Sequence, residues 1–115
     1  MFWSIDGRSD VPLHEQIAAC VLRALDDGQL LPGERLPPAA DLADALEVNP
    51  NTVLHAYRRL RDQGVLEFRR GRGARVGPDA VARGRVVEAV RGLVSLGRAY
   101  GYSPSALAAM VQELG

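Results

Sequence analysis

The sequence contains no lysine, a single cysteine and few aromatic residues, and its apolar runs are all short. One cysteine cannot form a disulfide within the chain, and with only two histidines it makes a poor metal-binding set. Because the apolar runs are a few residues long, none is predicted to span a membrane. The first residues also lack the basic and apolar regions of a signal peptide. We therefore expect a cytoplasmic protein that binds no membrane, metal or cofactor.

The composition is that of an ordinary globular domain. The chain has 115 residues, of which 47% are apolar and 24% are charged. These proportions exclude a disordered chain, a coiled-coil rod and a collagen-like repeat. The length predicts one compact domain with, at most, a small appendage.

The formal net charge is zero, but the charges are unevenly distributed. Residues 1–48 carry three arginines and nine carboxylates, a net charge of −6. Residues 49–77 carry seven arginines and two carboxylates, a net charge of +5, and residues 78–115 carry a net charge of +1. A basic block within a neutral chain indicates a partner for that block.

The first third of the chain predicts an arm, one helix and an irregular connector. Residues 2–5 are typical of a short strand or an anchoring arm. A helix is predicted over residues 12–27, because apolar residues recur there at helical spacing and Gly28 follows as a stop. Prolines 32, 37 and 38 then predict a short irregular connector. The apolar face of the helix consists of Leu13, Ile17, Cys20, Val21, Ala24 and Leu25.

Two further helices follow, separated by a short turn. The first covers residues 39–47 and ends near Pro50, because the residue before a proline is pushed out of the helical region. Asn49 is then a good N-cap for the second, which has Pro50 in its first turn and continues to about residue 63 before Gly64. Its predicted inner face consists of Val53, Ala56, Tyr57 and Leu60. Two helices joined in this way predict a helix-turn-helix.

After Gly64 the apolar residues no longer recur at helical spacing and instead alternate with polar ones, as in a strand. Residues 65–70 predict one strand, residues 74–76 predict its return, and residues 71–73 supply the glycines of a hairpin turn. A helix-turn-helix followed by a hairpin is a winged helix. The predicted fold is therefore mainly α with a small β-hairpin wing, and residues 1–77 form its winged helix-turn-helix domain.

Residues 78–115 predict two more helices, the second of them capped by Ser103 before Pro104. This segment is too short to close a core alone, yet it is rich in aliphatic residues, so it must pack on the winged helix or on a second copy. We interpret it as a two-helix dimerisation arm that forms a homodimer. The residues expected at the dimer contact are Val86, Val90, Leu93, Val94, Leu107 and Val111.

Little in the sequence supports an enzyme. No sequence context ties His14 or His55 to a nucleophile, and Cys20 lies on an apolar helix face, where burial is the ordinary outcome. DNA binding, in contrast, is supported by a coherent set of hydrogen-bond donors. Side chains at the start of a recognition helix reach base edges, and arginines on a wing follow the DNA backbone or enter the minor groove. The first set is Asn49, Asn51, Thr52, His55, Arg58 and Arg59, and the wing set is Arg69, Arg70, Arg72 and Arg75.

Each of these residues also has an ordinary structural interpretation. Asn49 serves as a helix cap whether or not it contacts DNA, and Thr52 is also typical of a plain surface position. The arginines at 58, 59 and 61 are equally compatible with ion pairs to Asp62 or to the acidic second helix. The wing arginines are also compatible with a solvated hairpin.

The combination of motifs resembles the winged-helix domain of the GntR family of bacterial transcription regulators. The resemblance covers about residues 5–77 and rests on residues 12–17, 28–37, 48–53 and 71–76. The Asn49-Pro50-Asn51-Thr52-Val53 run and the short helical tail resemble the YtrA subfamily in particular. The resemblance implies a homodimeric repressor on a short palindromic double-stranded operator, with Gly73 among the wing contacts. The resemblance does not indicate which small-molecule effector, if any, the protein binds.

One departure from the family pattern affects DNA recognition. The family carries a serine and a DNA-contacting arginine early in the second helix, and here Pro38 and Ala40 occupy those places. Losing one bidentate base contact removes about 1–3 kcal/mol of discrimination. The alternative function is therefore a winged-helix adaptor that keeps the fold but binds a protein, with the acidic first half as its docking surface.

Overall fold

The structure is a computed structural model that describes residues 2–71 and 73–115. Within them lie five helices and one two-stranded antiparallel sheet, which confirms the mainly helical fold with a small wing. The helices and strands are α1 (Leu13–Asp26), α2 (Ala39–Leu46), α3 (Pro50–Asp62), β1 (Leu66–Arg69), β2 (Gly73–Val76), α4 (Ala80–Ala99) and α5 (Pro104–Leu114). The chain groups into two compact units, Met1–Arg85 and Val86–Gly115. No helix in the described ranges is both long and apolar enough to cross a membrane.

The core of the first unit forms where α3 packs between α1 and α2. The predicted inner face of α3 is confirmed, because Val53, Ala56 and Leu60 are all fully buried. The predicted face of α1 is buried from Ile17 onward, whereas Leu13 at its start is only half-buried. The apolar periodicity read from the sequence therefore identifies the contact that holds the helix-turn-helix together.

The turn between α2 and α3 begins one residue earlier than the sequence predicts. Helix α2 ends at Leu46, and Glu47, which we expected to be helical, is in the left-handed region with φ 57°. A positive φ is uncommon for a residue other than glycine. It reverses the chain in time for Asn49, whose side chain accepts a 2.8 Å hydrogen bond from the Asn51 backbone N–H. The predicted cap on α3 is confirmed.

The sequence predicts an irregular connector before α2, but part of this connector pairs with β2. The backbone N–H of Leu36 donates to Ala74 at 2.9 Å, and that of Val76 donates to Glu34 at 2.8 Å. These bonds bring Arg35 opposite Arg75 as an antiparallel bridge. Residues 33–36 thus lie along the free edge of β2, and together with β1 and β2 they form what we call the wing ribbon.

The hairpin of the wing ribbon is shorter than predicted at its first strand. Strand β1 starts at Leu66 rather than at residue 65, and it pairs Leu66 with Val76 and Phe68 with Ala74. Three of these four side chains are buried, and Phe68 is 38% exposed. The Arg61 guanidinium lies 5.0 Å from the centre of the Phe68 ring, so a cation–π contact covers part of the exposed face.

The N-terminal segment is an arm and not a strand, so the strand alternative is wrong. The Ser4 backbone N–H donates to the Cys20 Sγ at 3.5 Å, and the thiol donates to the Ser4 carbonyl at 3.3 Å. Cys20 itself is 1% exposed. The arm therefore covers the cysteine and ties residues 2–5 to the buried face of α1.

The second unit is a helical hairpin formed by the later part of α4 and by α5. Ser103 caps α5 as predicted, because its hydroxyl accepts a 3.1 Å hydrogen bond from the Ala106 backbone N–H. Gly97 lies directly against Leu107, so close that a Cβ on the glycine would stand 2.6 Å from a Leu107 methyl group. Leu107, expected at the dimer contact, is therefore buried by its own chain.

We expect Tyr57→Phe to lower the free energy of unfolding by about 1 kcal/mol. The buried Tyr57 hydroxyl donates to the Pro37 carbonyl at 2.8 Å, which ties α3 to the connector. Burial raises the pKa of Tyr57 well above its usual range, so the hydroxyl remains a donor at all ordinary pH values. Urea unfolding measures the change. The matched control is Tyr100→Phe, which removes the hydroxyl of a residue that is 75% exposed. Equal stabilities for the two variants would contradict the assignment.

Candidate nucleic-acid interface

Helix α3 presents a polar start and a basic outer face to solvent. Asn51 is exposed and Thr52 is half-buried, while the side chain of Asn49 is engaged as the cap. The burial of Val53 and Leu60 fixes the roll of the helix and therefore directs these polar side chains outward. Amide and hydroxyl groups held in this way at a helix start are able to form hydrogen bonds with base edges.

The three arginines on α3 differ in whether they are paired. Arg61 lies 3.2 Å from Asp62 and also stacks on Phe68, so the ion-pair alternative holds for it. Arg58 and Arg59 are exposed, and no carboxylate in the described part of the chain lies within 4.0 Å of either guanidinium. Two cations on the outer face of α3 therefore remain available to an anionic ligand.

The rings of His14 and His55 stack on each other, a contact that sequence reasoning did not find. Their centroids are 3.8 Å apart and their planes differ by 18°. His55, expected at the DNA interface, is exposed on α3, but one ring face is occupied by a side chain from the first turn of α1. Nothing in the local sequence links residues 41 positions apart, so only the packing of α1 on α3 reveals the pair.

The pKa of His14 is lowered from its ordinary value of 6.5. Partial burial is the largest cause, and the charges of His55 and Arg59 act in the same direction while Glu15 opposes them. A positive charge on His55 therefore disfavours protonation of His14. This outer face of α1 and α3 thus carries a stacked imidazole pair near Arg59.

The wing ribbon supplies the second basic surface. Arg70 is exposed, Arg69 lies 3.3 Å from Glu67, and the Arg75 side chain donates to the Gly33 carbonyl at 3.3 Å. Gly73 has a φ of 70°, a conformation that favours glycine at this end of β2. Arg72, the remaining predicted wing contact, lies outside the described residues.

Arg35 is a member of this surface that the sequence analysis placed in the acidic block. It is exposed, and its guanidinium nitrogens lie within 4 Å of the position that a Cβ of Gly73 would occupy. A pairing strand of only residues 33–36 has no recognisable apolar alternation. The one available signal was the short Glu34-Arg35-Leu36 stretch between two prolines.

Helix α2 begins with two alanines, in keeping with the departure from the family pattern, and Asp41 follows them in its first turn. Pro38 precedes the helix without a side-chain cap, and Ala40 is exposed. Between this start and the wing lies a groove of about 340 Å³, lined by side chains that include Pro38, Leu54 and Phe68. The Ala40 side chain offers no hydrogen-bonding group in place of the family arginine.

Comparisons with known proteins agree with this arrangement. Residues 13–76 match the family described as bacterial regulatory proteins, gntR family. The chain is 40% identical over 76 residues to the HTH-type transcriptional repressor YtrA of Bacillus subtilis, which covers 66% of this chain and 58% of that repressor. It is 33% identical over 101 residues to the HTH-type transcriptional regulator Rv1152 of Mycobacterium tuberculosis, covering 88% and 84% of the two chains. The solved structure of YtrA from Sulfolobus acidocaldarius, a GntR-family transcription factor, is similar with a TM-score of 0.64 and 32% identity, covering 82% of this chain and 99% of that one.

We expect acidification to destabilise the fold through His14. Its pKa is lowered in the folded chain, so the unfolded chain binds the proton more readily. The contribution is fully present above the unfolded value of 6.5 and is lost as the pH falls through the lower folded value. Urea unfolding at about pH 7.5 and about pH 5.5 measures the loss. His14→Gln should show a smaller loss between these two values, and an identical loss in this variant would contradict the role of His14.

Proposed function

The chain belongs to the GntR family of bacterial regulatory proteins, and we propose that it is a sequence-specific, DNA-binding transcriptional regulator of the YtrA type. The chain spans little more than half the length of the Bacillus subtilis repressor that it resembles. The proposal therefore covers only what a winged helix with a short tail can do, which is to bind DNA and to dimerise. We further propose that it acts in the cytoplasm as a homodimeric repressor on a short palindromic operator.

One observation carries the proposal. Helix α3 is held by a fully buried inner face while its start and outer face present Asn51, Arg58 and Arg59 to solvent, with both arginines unpaired among the described residues. Arginine is well suited to this task because its planar guanidinium recognises both guanine edges and phosphates. We assign direct base contact to the start of α3 and backbone contact to its arginines and to the wing.

The proposal divides the chain into a DNA-binding domain, residues 1–77, and a dimerisation tail, residues 78–115. In support, the tail exposes aliphatic side chains that a lone chain leaves in water: Val86 is 63% exposed, Val90 51%, Leu93 37% and Val111 57%. Val94 is half-buried, and Leu107 acts by holding the two tail helices together. A second copy of this chain is the partner that would cover the exposed side chains.

We assign no reaction to the chain. The two histidines stack on each other, and Cys20 is buried beneath the N-terminal arm. In residues 2–71 and 73–115, no group of three or more histidines, cysteines and carboxylates is arranged to hold a metal ion. The chemistry that the surface offers is reversible recognition of a polyanion.

Selection from random duplexes should recover a two-fold symmetric site, and binding to it should weaken steeply with salt because bound phosphates release counterions. Asn51→Ala should change the preference at one base position by about 1–3 kcal/mol. Arg58→Gln should weaken binding to all sequences and lower the salt slope. Arg61→Gln is the matched control, because that arginine is already paired with Asp62.

Three results would count against this assignment. Equal losses for Asn51→Ala on every sequence would exclude direct base readout by α3. Salt-insensitive binding would exclude a phosphate-contacting interface. The absence of any selected motif, together with a stoichiometric protein partner, would favour the adaptor alternative, for which Ala40 in place of the family arginine is the supporting feature.

Val90→Glu should convert the dimer into a monomer and weaken operator binding. A buried carboxylate without a partner at the tail contact costs several kcal/mol in each protomer, a large part of the roughly 8 kcal/mol that holds a micromolar dimer. Sedimentation or light scattering measures the change. Ser95→Glu, a substitution at another exposed position of α4, is the matched control and should remain dimeric. A dimeric Val90→Glu variant would show that the exposed valine lies outside the contact.

A further inference from the structure

The stacked rings of His14 and His55 link α3 to the first turn of α1. Their centroids are 3.8 Å apart and their planes differ by only 18°, so the two imidazoles lie nearly face to face. His55 is exposed on α3, whereas His14 is half-buried on α1. The stack therefore has an outer ring that faces solvent and an inner ring that supports it.

The inner ring restricts the orientation of the outer one without occupying its polar atoms. The two nitrogens of an imidazole lie at the edge of the ring, so a neighbour on one face leaves both of them accessible. A side chain that is already held in place loses less conformational freedom when it binds a ligand. His55 also lies one helical turn after Asn51 and one turn before Arg59, and it shares their face of α3. His14 thus supports a hydrogen-bonding group on the surface to which we assign DNA contact.

The charges around the stack disfavour a proton on the inner ring. Partial burial is the largest cause that lowers the pKa of His14, and the charges of His55 and Arg59 lower it further, whereas Glu15 raises it. Two positively charged rings at this separation would repel each other. A proton on the exposed His55 therefore leaves the inner ring neutral.

The other elements that pack on α3 do not bring a carboxylate to the stack. Helix α2 carries Asp41 and Asp44, and β1 carries Glu67, which already pairs with Arg69 at 3.3 Å. In the part of the chain that the structure describes, no carboxylate lies within 4.0 Å of either imidazole. A phosphate of bound DNA would supply the negative charge that a protonated His55 lacks in the free chain.

We propose that His55 contacts a DNA phosphate in its protonated form, that His14 is the positioning residue for this contact, and that affinity for DNA therefore rises as the pH falls. The contact rests on the proposed function, to which it adds a dependence on pH. The proton comes from solvent, forms a new N–H bond on the His55 ring, and returns to solvent when the DNA dissociates. Histidine ordinarily titrates between about pH 5 and about pH 8. The added affinity is present at the acidic end of this range and is lost as the pH rises.

The test measures binding of the full-length chain to a selected duplex at about pH 6 and about pH 8, at one ionic strength. The parent chain should bind about fivefold more tightly per protomer at the lower pH, because linkage allows up to about tenfold per pH unit for each proton taken up. His55→Gln cannot take up the proton and should bind equally at the two pH values. The chain has only two histidines, so variants of His14 complete the set.

The variants of His14 separate its support of the outer ring from its charge. His14→Phe keeps a flat ring beneath His55 and should retain both the affinity and the pH effect of the parent. His14→Ala removes the support and should weaken binding about threefold at the lower pH, and it should abolish the ring-current shift of the His55 ring protons. His14→Lys should move the pH effect to lower pH, because a fixed positive charge beside His55 opposes its protonation. A merely structural role of His14 would not produce that displacement.

Each part of the proposal has a result that overturns it. Equal affinities of the parent at the two pH values, or an undiminished pH effect in His55→Gln, would overturn the protonated contact. Equal affinities of the parent and His14→Ala would overturn the positioning role, with melting temperatures at neutral pH confirming that each variant is folded. Binding to a selected duplex without a pH effect would leave the proposed function intact, whereas a parent chain that binds no duplex at either pH would contradict both proposals.

Discussion

The burial of one face of α3 is the constraint on which the rest of the first unit depends. Val53, Ala56 and Leu60 are fully buried between α1 and α2, so the helix cannot roll about its axis without exposing them. Removing one such side chain from a core costs about 2–5 kcal/mol, a large fraction of the stability of a small domain. The direction in which Asn51 and Arg58 point is therefore fixed by residues that are buried in the core.

Backbone hydrogen bonding fixes where this helix begins and where the wing lies beside it. The Asn49 cap and Pro50 set the first turn of α3, while the left-handed Glu47 closes α2 just before it. At the other end, the Val65 N–H donates to the Leu60 carbonyl and the Gly77 N–H donates to the Val65 carbonyl. The end of α3 and the base of the hairpin are thus joined through a single buried residue, and the two basic surfaces are held by one rigid element.

Local patterns in the sequence predict most of this fold, because its helices are amphipathic and their caps are ordinary ones. The inner face of α3, the caps at Asn49 and Ser103, and the hairpin between Gly64 and Gly77 all follow from spacing and residue type over a few positions. The pairing of the connector with β2 cannot be predicted in this way, since it joins segments about 40 residues apart through only three backbone hydrogen bonds. The stacking of His14 on His55 is likewise a contact between residues far apart in the sequence, which no local pattern predicts.

The same distinction applies to the site. Residue type and position on a helix identify Asn51, Arg58 and Arg59 as candidates, but they cannot say which cations are already paired. Arg61 and Arg69 have carboxylate partners, and Arg85 pairs with Asp26 at 2.8 Å. Exposed pairs of this kind contribute little to stability, yet each one reduces the positive charge that the surface offers to a polyanion.

The neutral total charge is therefore a poor guide to what the surface binds. Electrostatic attraction to a phosphate falls off over about 10 Å at ordinary ionic strength, so the carboxylates of the first half act only where they lie next to an arginine. Arg35 illustrates this, because it belongs by sequence to the acidic block and by position to the basic ribbon. For the proposed DNA binding, the relevant quantity is the number of arginines left without a carboxylate partner on α3 and the wing ribbon. The folded chain sets that number by placing Arg35 opposite Arg75 rather than opposite an acid.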